Sequence, residues 1–192
     1  MEKFKDYQWR VTKYNPDFRD ENGYYTLDEE WTCPSEIGKN INGKEFTLEQ
    51  YLHVEASYIH SVIQFMEESR LDSLRILQLE CDFTEEARTS PLYEKEFEQL
   101  NLREDVMLNK HEIRLVCKMV LRNFIWCKLY GKKHFFIHFG YDYYMYIGSH
   151  TNCLSAIESA TNSGLFVETF MSPYFITEAE IIRETNWNEK DV

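Results

Sequence analysis

The 192-residue chain is poor in the residues that build phosphate-binding loops and disulfide scaffolds. Glycine occurs only seven times, and the chain has neither a Gly-x-Gly-x-x-Gly sequence nor a Walker loop, which excludes the common nucleotide-binding motifs. Its five cysteines are odd in number and include no Cys-x-x-Cys pair, which argues against a disulfide framework or a zinc site. Scattered cysteines of this kind are typical of reduced thiols, so we expect a cytoplasmic protein.

Long apolar runs and basic residues are also scarce. No apolar segment approaches the length of a membrane span, and none follows the N-terminus as a secretory signal would, so we expect no membrane partner. Lys and Arg total 21 against 33 Asp and Glu, a net charge of −12. This charge disfavours a nucleic-acid partner, because such binding depends on the neutralisation of phosphates.

The positive charge that the chain does have is concentrated. Residues 110–133 hold seven Lys or Arg and one acid, a net of +6, so the rest of the chain carries −18. Four of these bases recur every fourth residue of a predicted helix and form a basic ridge along it. The ridge is a candidate anion-binding site, or alternatively a solvated face that pairs with the acidic segment 80–105. Its residues are Lys110, Arg114, Lys118 and Arg122.

Aromatic residues make up 16% of the chain and are densest over 134–148. Apolar and polar side chains alternate within 124–130, 134–139 and 143–148, which predicts a three-stranded antiparallel meander. One face of it is largely aliphatic. The other is ringed with aromatics and is a candidate recognition surface, or alternatively packs beneath another element. The candidate ligand- and partner-binding residues, including two from the long segment 15–46, are Trp126, Tyr130, His138, Tyr144, Tyr146, Trp31 and Arg19.

The remaining periodicities predict an α+β fold in a single domain over 1–192. From residue 73 to 170 the order is strand, helix, three strands, helix and strand. This order predicts a ferredoxin-like core with additions, in which helices pack on one face of an antiparallel meander sheet. The other predicted strands lie over 7–14, 73–80 and 165–170, and the predicted helices over 48–69, 110–121 and 153–162. Capping boxes at 47–50 and 109–112 start the first two helices, and residues 149–152 offer N-caps for the third. The remaining predictions are broken helix over 83–108, a long ordered loop over 15–46, a short helix capped by Thr177 and a frayed tail at 187–192.

A candidate acid–base set can be drawn from Glu55, His138 and Asp142. Glu55 falls on the apolar stripe predicted for the helix over 48–69, where a carboxylate must be paired, neutral or at the edge of a cleft. A metal site is not expected, because His134 and His138 share a strand face but their alpha carbons are about 13 Å apart. No cofactor is expected either.

The apolar stripe predicted for the helix over 48–69 consists of Leu48, Leu52, Ile59, Val62 and Met66, supported by Tyr51, Ala56 and Ile63.

Three stretches carry a resemblance to a known family. They are Trp9-x-Val11-Thr12-Lys13-Tyr14-Asn15-Pro16-x-x-Arg19-Asp20-x-x-Gly23-x-Tyr25, Glu30-Trp31-Thr32 with Ser35-Glu36-Ile37-Gly38, and His138-Phe139-Gly140-Tyr141-Asp142-Tyr143-Tyr144-Met145-Tyr146-Ile147-Gly148. The chain resembles, over nearly its whole length, a family of small bacterial cytosolic proteins whose members have no established activity. The resemblance implies one bacterial intracellular domain and brings no reaction with it.

Charge and aromatic content favour a non-catalytic binding protein that docks a basic protein partner, as bacterial immunity proteins dock cationic toxins. Acidity speeds the association of such partners, and aromatic anchors supply affinity. The first alternative is a small-molecule, nucleotide or RNA-binding module that uses the ringed face for stacking. The second alternative is a small enzyme that uses the candidate acid–base set.

Overall fold

The computed structural model describes residues 6–27, 30–81 and 85–174. Within these ranges, seven strands form one antiparallel sheet and three long helices pack on a single face of it, which confirms the predicted α+β class. The predicted helix after Thr177 and the tail at 187–192 lie outside the described residues. The helices are α1 (Leu48–Glu68), α2 (Glu85–Arg88), α3 (Lys110–Leu121) and α4 (Leu154–Asn162). The strands are β1 (Tyr7–Thr12), β2 (Asn40–Ile41), β3 (Lys44–Glu45), β4 (Ser73–Glu80), β5 (Met107–Asn109), β6 (Trp126–Tyr130), β7 (Phe136–Phe139), β8 (Tyr144–Ser149) and β9 (Phe166–Thr169).

The strands of the main sheet lie in the order β5-β4-β6-β7-β8-β1-β9, and each neighbouring pair is antiparallel. The meander β6-β7-β8 forms as predicted. On either side of β7 lies a split β-α-β unit, the element of ferredoxin-like cores: β5-α3-β6 encloses β4, and β8-α4-β9 encloses β1. The two crossover connections, from β5 to β6 and from β8 to β9, start from strands that point the same way. Both connections move across the sheet toward its β9 edge. A common handedness therefore places α3 and α4 on the same face.

The helix starts follow the capping signals of the sequence, with one exception. The capping boxes predicted for α1 and α3 are both present. Helix α4 lacks a side-chain cap from the predicted residues 149–152, and its N-cap residue Cys153 has a left-handed backbone (φ 44°). Instead, the Glu68 carboxylate at the end of α1 accepts a hydrogen bond of 2.8 Å from the Ala156 N–H. The start of α4 therefore depends on α1.

The buried face of α1 is rotated from the one that hydrophobicity alone predicts. Leu48, Leu52 and Ala56 are exposed, so their predicted burial is wrong, whereas Tyr51 and Tyr58 are fully buried. Both tyrosine hydroxyls donate hydrogen bonds to buried backbone carbonyls, at 3.2 and 2.5 Å. Because each hydroxyl has a hydrogen-bond partner, the two tyrosine rings can be buried without leaving an unsatisfied polar group.

Glu55 lies on this rotated face, and the end of α3 supplies its counterion. The Nε and NH2 groups of Arg122 donate to the two carboxylate oxygens of Glu55, each at 2.7 Å, and neither side chain is more than 4% exposed. Burial lowers the pKa of Arg122, but hydrogen bonding and charge from Glu55 and Glu94 outweigh it and raise the pKa above its usual value. The pair is therefore a buried, bidentate ion pair between α1 and α3.

Three of the four bases in the predicted ridge are held in ion pairs. Lys110 lies 3.2 Å from Asp72, while Lys118 and Arg122 both reach Glu94, at 2.6 and 2.7 Å. Glu94 belongs to the acidic segment, so the ridge forms the alternative arrangement in which it pairs within the chain. An anion that binds these three bases would have to displace the carboxylates that they hold. Arg114 is exposed.

The long segment 15–46 is anchored in its described part. It contains the 3-10 turns Pro16–Phe18 and Pro34–Glu36, and it ends in the β2–β3 hairpin. Trp31 is 8% exposed and stacks on Phe46 at 4.6 Å between ring centroids.

None of the helices within the described ranges has the length and apolar character that a membrane crossing would need.

We expect Arg122→Ala to lower the free energy of unfolding by about 3–5 kcal/mol, because it leaves Glu55 buried without a counterion. The double variant Arg122→Met with Glu55→Gln removes both charges and keeps most of the volume, so it should recover much of that loss. Urea unfolding at neutral pH measures both variants. Equal losses in the single and double variants would contradict a stabilisation that depends on pairing.

Candidate functional site

The ringed face of the meander is assembled as the alternation predicts, but it is not an open surface. Strand register places His138 opposite Tyr146, and the predicted aromatic residues share that side of the sheet. The covering segment, residues 170–174, crosses this face. Its Tyr174 ring lies 5.7 Å from Tyr146 and 6.5 Å from Trp126 between centroids. Tyr130, His138 and Tyr146 are at most 7% exposed.

Polar contacts hold the covering segment in place. The Ser172 hydroxyl lies 2.7 Å from Nδ1 of His138, and the Ser172 N–H donates to the Gln8 side chain at 2.9 Å. The Lys128 ammonium, whose residue is 1% exposed, donates to the Tyr174 carbonyl at 2.6 Å. These buried groups are satisfied by the covering segment, so removing it would leave them without those partners.

Arg19 and Tyr144, predicted to bind a partner, are engaged within the chain. Arg19 donates to the Tyr144 hydroxyl at 3.0 Å and to Glu168 at 3.3 Å. Arg10 holds both oxygens of Glu168, at 2.8 and 3.0 Å, and its guanidinium lies 4.2 Å over the Phe170 ring. Trp31, the remaining candidate of this group, is buried in the core described above. The predicted recognition surface is therefore mostly internal.

The candidate acid–base residues do not come together. Glu55 lies on the helix side of the sheet, paired with Arg122, while His138 is fully buried on the opposite side. Asp142 is exposed in the β7–β8 turn. Proton transfer needs groups within hydrogen-bond distance, and the sheet lies between Glu55 and His138. The three residues therefore do not form an acid–base set.

His138 is held in its neutral state by its surroundings. Burial and the nearby charge of Lys128 lower its pKa well below the usual value. One ring nitrogen contacts Ser172, and the other makes a short hydrogen bond with the Tyr130 hydroxyl. A protonated ring would add a second positive charge to a buried cluster.

We expect the free energy of unfolding to fall as the pH is lowered below about 6.5. In that range the unfolded chain protonates His138 while the folded protein keeps it neutral, so the unfolded state binds more protons. Each pH unit then costs up to about 1.4 kcal/mol until the folded pKa is reached. Urea unfolding of the wild type and of His138→Gln between about pH 5 and pH 7 measures this effect. The variant should show the shallower pH dependence, and identical slopes would refute it.

A groove of about 540 Å³ opens at one end of the sheet. Its walls are residues 32–33, the α3–β6 turn with its flanks (120–121 and 123–126) and the β7–β8 turn with its flanks (139–145), joined by Tyr58, Glu80 and Tyr174. A volume of this size is typical of a ligand pocket. The groove includes Trp126 and Tyr144 from the end of the ringed face, and it is an open concave surface near the predicted site residues.

The two turns at the groove have an unusual backbone. Asn123, Asp142 and Tyr143 all have left-handed φ angles, of 59°, 52° and 62°. Asn and Asp tolerate this conformation, but a tyrosine there is a genuine outlier that costs of order 1–3 kcal/mol. The Tyr143 hydroxyl donates to the Leu121 carbonyl at 2.8 Å, which holds the side chain inside. Its neighbour Tyr141 is left 85% exposed at the groove.

The groove presents acidic and aromatic groups. Glu80 and Asp142 are exposed, and its described lining residues include no Lys or Arg. The Trp126 indole N–H is committed to the Phe139 carbonyl at 2.8 Å. The half-exposed Cys33 thiol accepts a weak hydrogen bond from the Asn123 side chain, at 3.5 Å.

Comparisons with protein-family models, curated proteins and solved structures found no match to this chain. In the part of the chain that the structure describes, no three or more His, Cys, Asp or Glu residues are grouped so that they could hold a metal ion. What the site does therefore has to be inferred from the geometry and charge of the groove.

Sequence reasoning identified three residues that line the groove, Trp126 and Tyr144 as partner-binding residues of the ringed face and Asp142 as an acid–base candidate. It missed Cys33, Glu80 and Asn123. These residues come from separate segments that only the folded chain brings to one end of the sheet. The one local signal was the Gly-Tyr-Asp turn, where an aromatic residue in an exposed hairpin turn marks a position that can contact a ligand.

Proposed function

We propose that this protein is a non-catalytic acidic binding protein that docks a basic protein partner at the groove, in the manner of an immunity protein. The observation that carries the proposal is the composition of the groove. It offers the carboxylates of Glu80 and Asp142 and the exposed ring of Tyr141, with no Lys or Arg among its described lining residues.

The distribution of ion pairs supports a basic partner. Several bases are engaged within the chain: the side chains of Arg10, Arg19 and Arg122 are at most 9% exposed, and each holds a carboxylate. Among the described residues, neither Glu80 nor Asp142 belongs to an ion pair, so both are available to an incoming cation. Carboxylates at the rim of an interface speed association and select against acidic partners.

The two alternatives have less support. A nucleotide or RNA module would stack bases on the ringed face, which the covering segment occupies. An enzyme would need an acid and a base within hydrogen-bond reach, whereas Glu55 and His138 lie on opposite sides of the sheet.

We also propose that the chain belongs to the bacterial cytosolic family that it resembles. Its five free thiols suit a reducing cytoplasm.

The test uses a fluorescently labelled peptide of three lysines and three arginines separated by glycines. We expect Glu80→Gln with Asp142→Asn to weaken its binding about fivefold, because each exposed ion pair contributes about 0.2–1 kcal/mol. Binding should also weaken with added salt. Fluorescence anisotropy measures both effects.

The matched control is Glu49→Gln with Glu158→Gln, which removes the same charge from exposed positions on α1 and α4. Bound peptide should also slow alkylation of Cys33 in a Cys81→Ser background, since the other three thiols are buried. Equal weakening by both double variants, or an unprotected Cys33, would place docking elsewhere. A labelled oligouridine that binds where the peptide does not would favour the nucleic-acid alternative.

A further inference from the structure

The aromatic rings at the groove offer a ligand mainly their surfaces. The Trp126 N–H is bonded to the Phe139 carbonyl, so the polar tip of this partly exposed ring is already satisfied. Tyr141 exposes 85% of its surface. Ring faces carry negative potential and attract cations, particularly where water is partly excluded.

Each carboxylate of the groove has an aromatic neighbour. Glu80 is the β4 residue opposite Trp126 in the β4–β6 register, and Asp142 follows Tyr141 in the turn. A ring beside a carboxylate suits a guanidinium, which is planar, weakly hydrated and able to stack while its N–H groups hold both oxygens. An ammonium is compact and more strongly hydrated, so it loses more hydration free energy when it enters such a site.

The chain itself shows how the two cations use this pairing. Arg10 lies 4.2 Å over the Phe170 ring and donates to both oxygens of Glu168, at 2.8 and 3.0 Å. Lys13 also lies over aromatic rings, but it reaches one oxygen of Glu30, at 2.9 Å. The guanidinium thus gains a second charge-assisted hydrogen bond from the same kind of surroundings.

We infer that the groove is an arginine-selective site. It takes an arginine side chain of the basic partner, with the guanidinium against the exposed Tyr141 ring and its N–H groups on Glu80 or Asp142. The volume of about 540 Å³ leaves room for the residues that flank the arginine. This inference rests on the proposed function and specifies which residue of the partner is recognised.

The test compares two labelled peptides of equal length and charge, one alternating glycine with arginine and the other glycine with lysine. At about 0.15 M salt, the arginine peptide should bind the wild type about tenfold more tightly. Tyr141→Leu keeps an apolar side chain but removes the ring, and it should reduce this ratio to about threefold. Tyr141→Phe keeps the ring and should leave the ratio unchanged. The exposure of Tyr141 makes both variants compatible with folding, which circular dichroism checks.

The outcomes separate this inference from the function beneath it. If the two peptides bind the wild type equally and Glu80→Gln with Asp142→Asn weakens both, the acidic docking site stands and arginine selectivity is overturned. A ratio that Tyr141→Leu leaves intact also overturns it, because the ring would then play no part in the choice. If neither peptide binds, the proposed function fails together with the inference.

Discussion

The groove depends on the carbonyl end of α3. The last carbonyls of a helix have no partner within it, and here the Leu121 carbonyl accepts hydrogen bonds from Tyr51 at 3.2 Å and Tyr143 at 2.8 Å. The next residue, Arg122, holds Glu55 in a buried ion pair. One helix end is thus bonded both to α1 and to the β7–β8 turn. Because the two turns that form the groove meet at this point, their separation is set by buried bonds rather than by the turns themselves.

The same contact explains the strained turn. Most turns that need a positive φ use glycine, which carries no steric penalty there. Tyr143 adopts it because its hydroxyl reaches the Leu121 carbonyl and its ring packs against Trp31 at 4.7 Å, contacts that a glycine would lack. The inward turn of Tyr143 leaves Tyr141 and Asp142 outside. The backbone conformation of this turn therefore both anchors Tyr143 and exposes Tyr141 and Asp142. A rigid turn loses less conformational entropy when a partner binds its outer residues.

Both faces of the sheet are occupied by the chain itself. The helices cover one face, since the two split units cross it in the same direction, and the covering segment lies over the other. Its contacts with buried His138 and Lys128 make that cover part of the folded structure. A binding site is then left to the ends of the strands, where turns are exposed but held by the rigid sheet. The acidic excess of the chain reaches the groove through Glu80 and Asp142.

The sequence by itself determined the local elements. Alternation predicted the meander and the sharing of faces around His138, and the capping boxes predicted where α1 and α3 begin, because these signals act between residues close in the chain. Only the tertiary structure decided what covers each face. The rotation of α1 depends on partners for Glu55 and Tyr51 that lie 67 and 70 residues away. The ringed face is covered by a segment with no pattern of its own, and the groove joins residues as distant as Cys33 and Tyr174. Hydrophobic periodicity reports that a side chain needs burial, but the partner that buries it is chosen by contacts across the fold, which no local window contains.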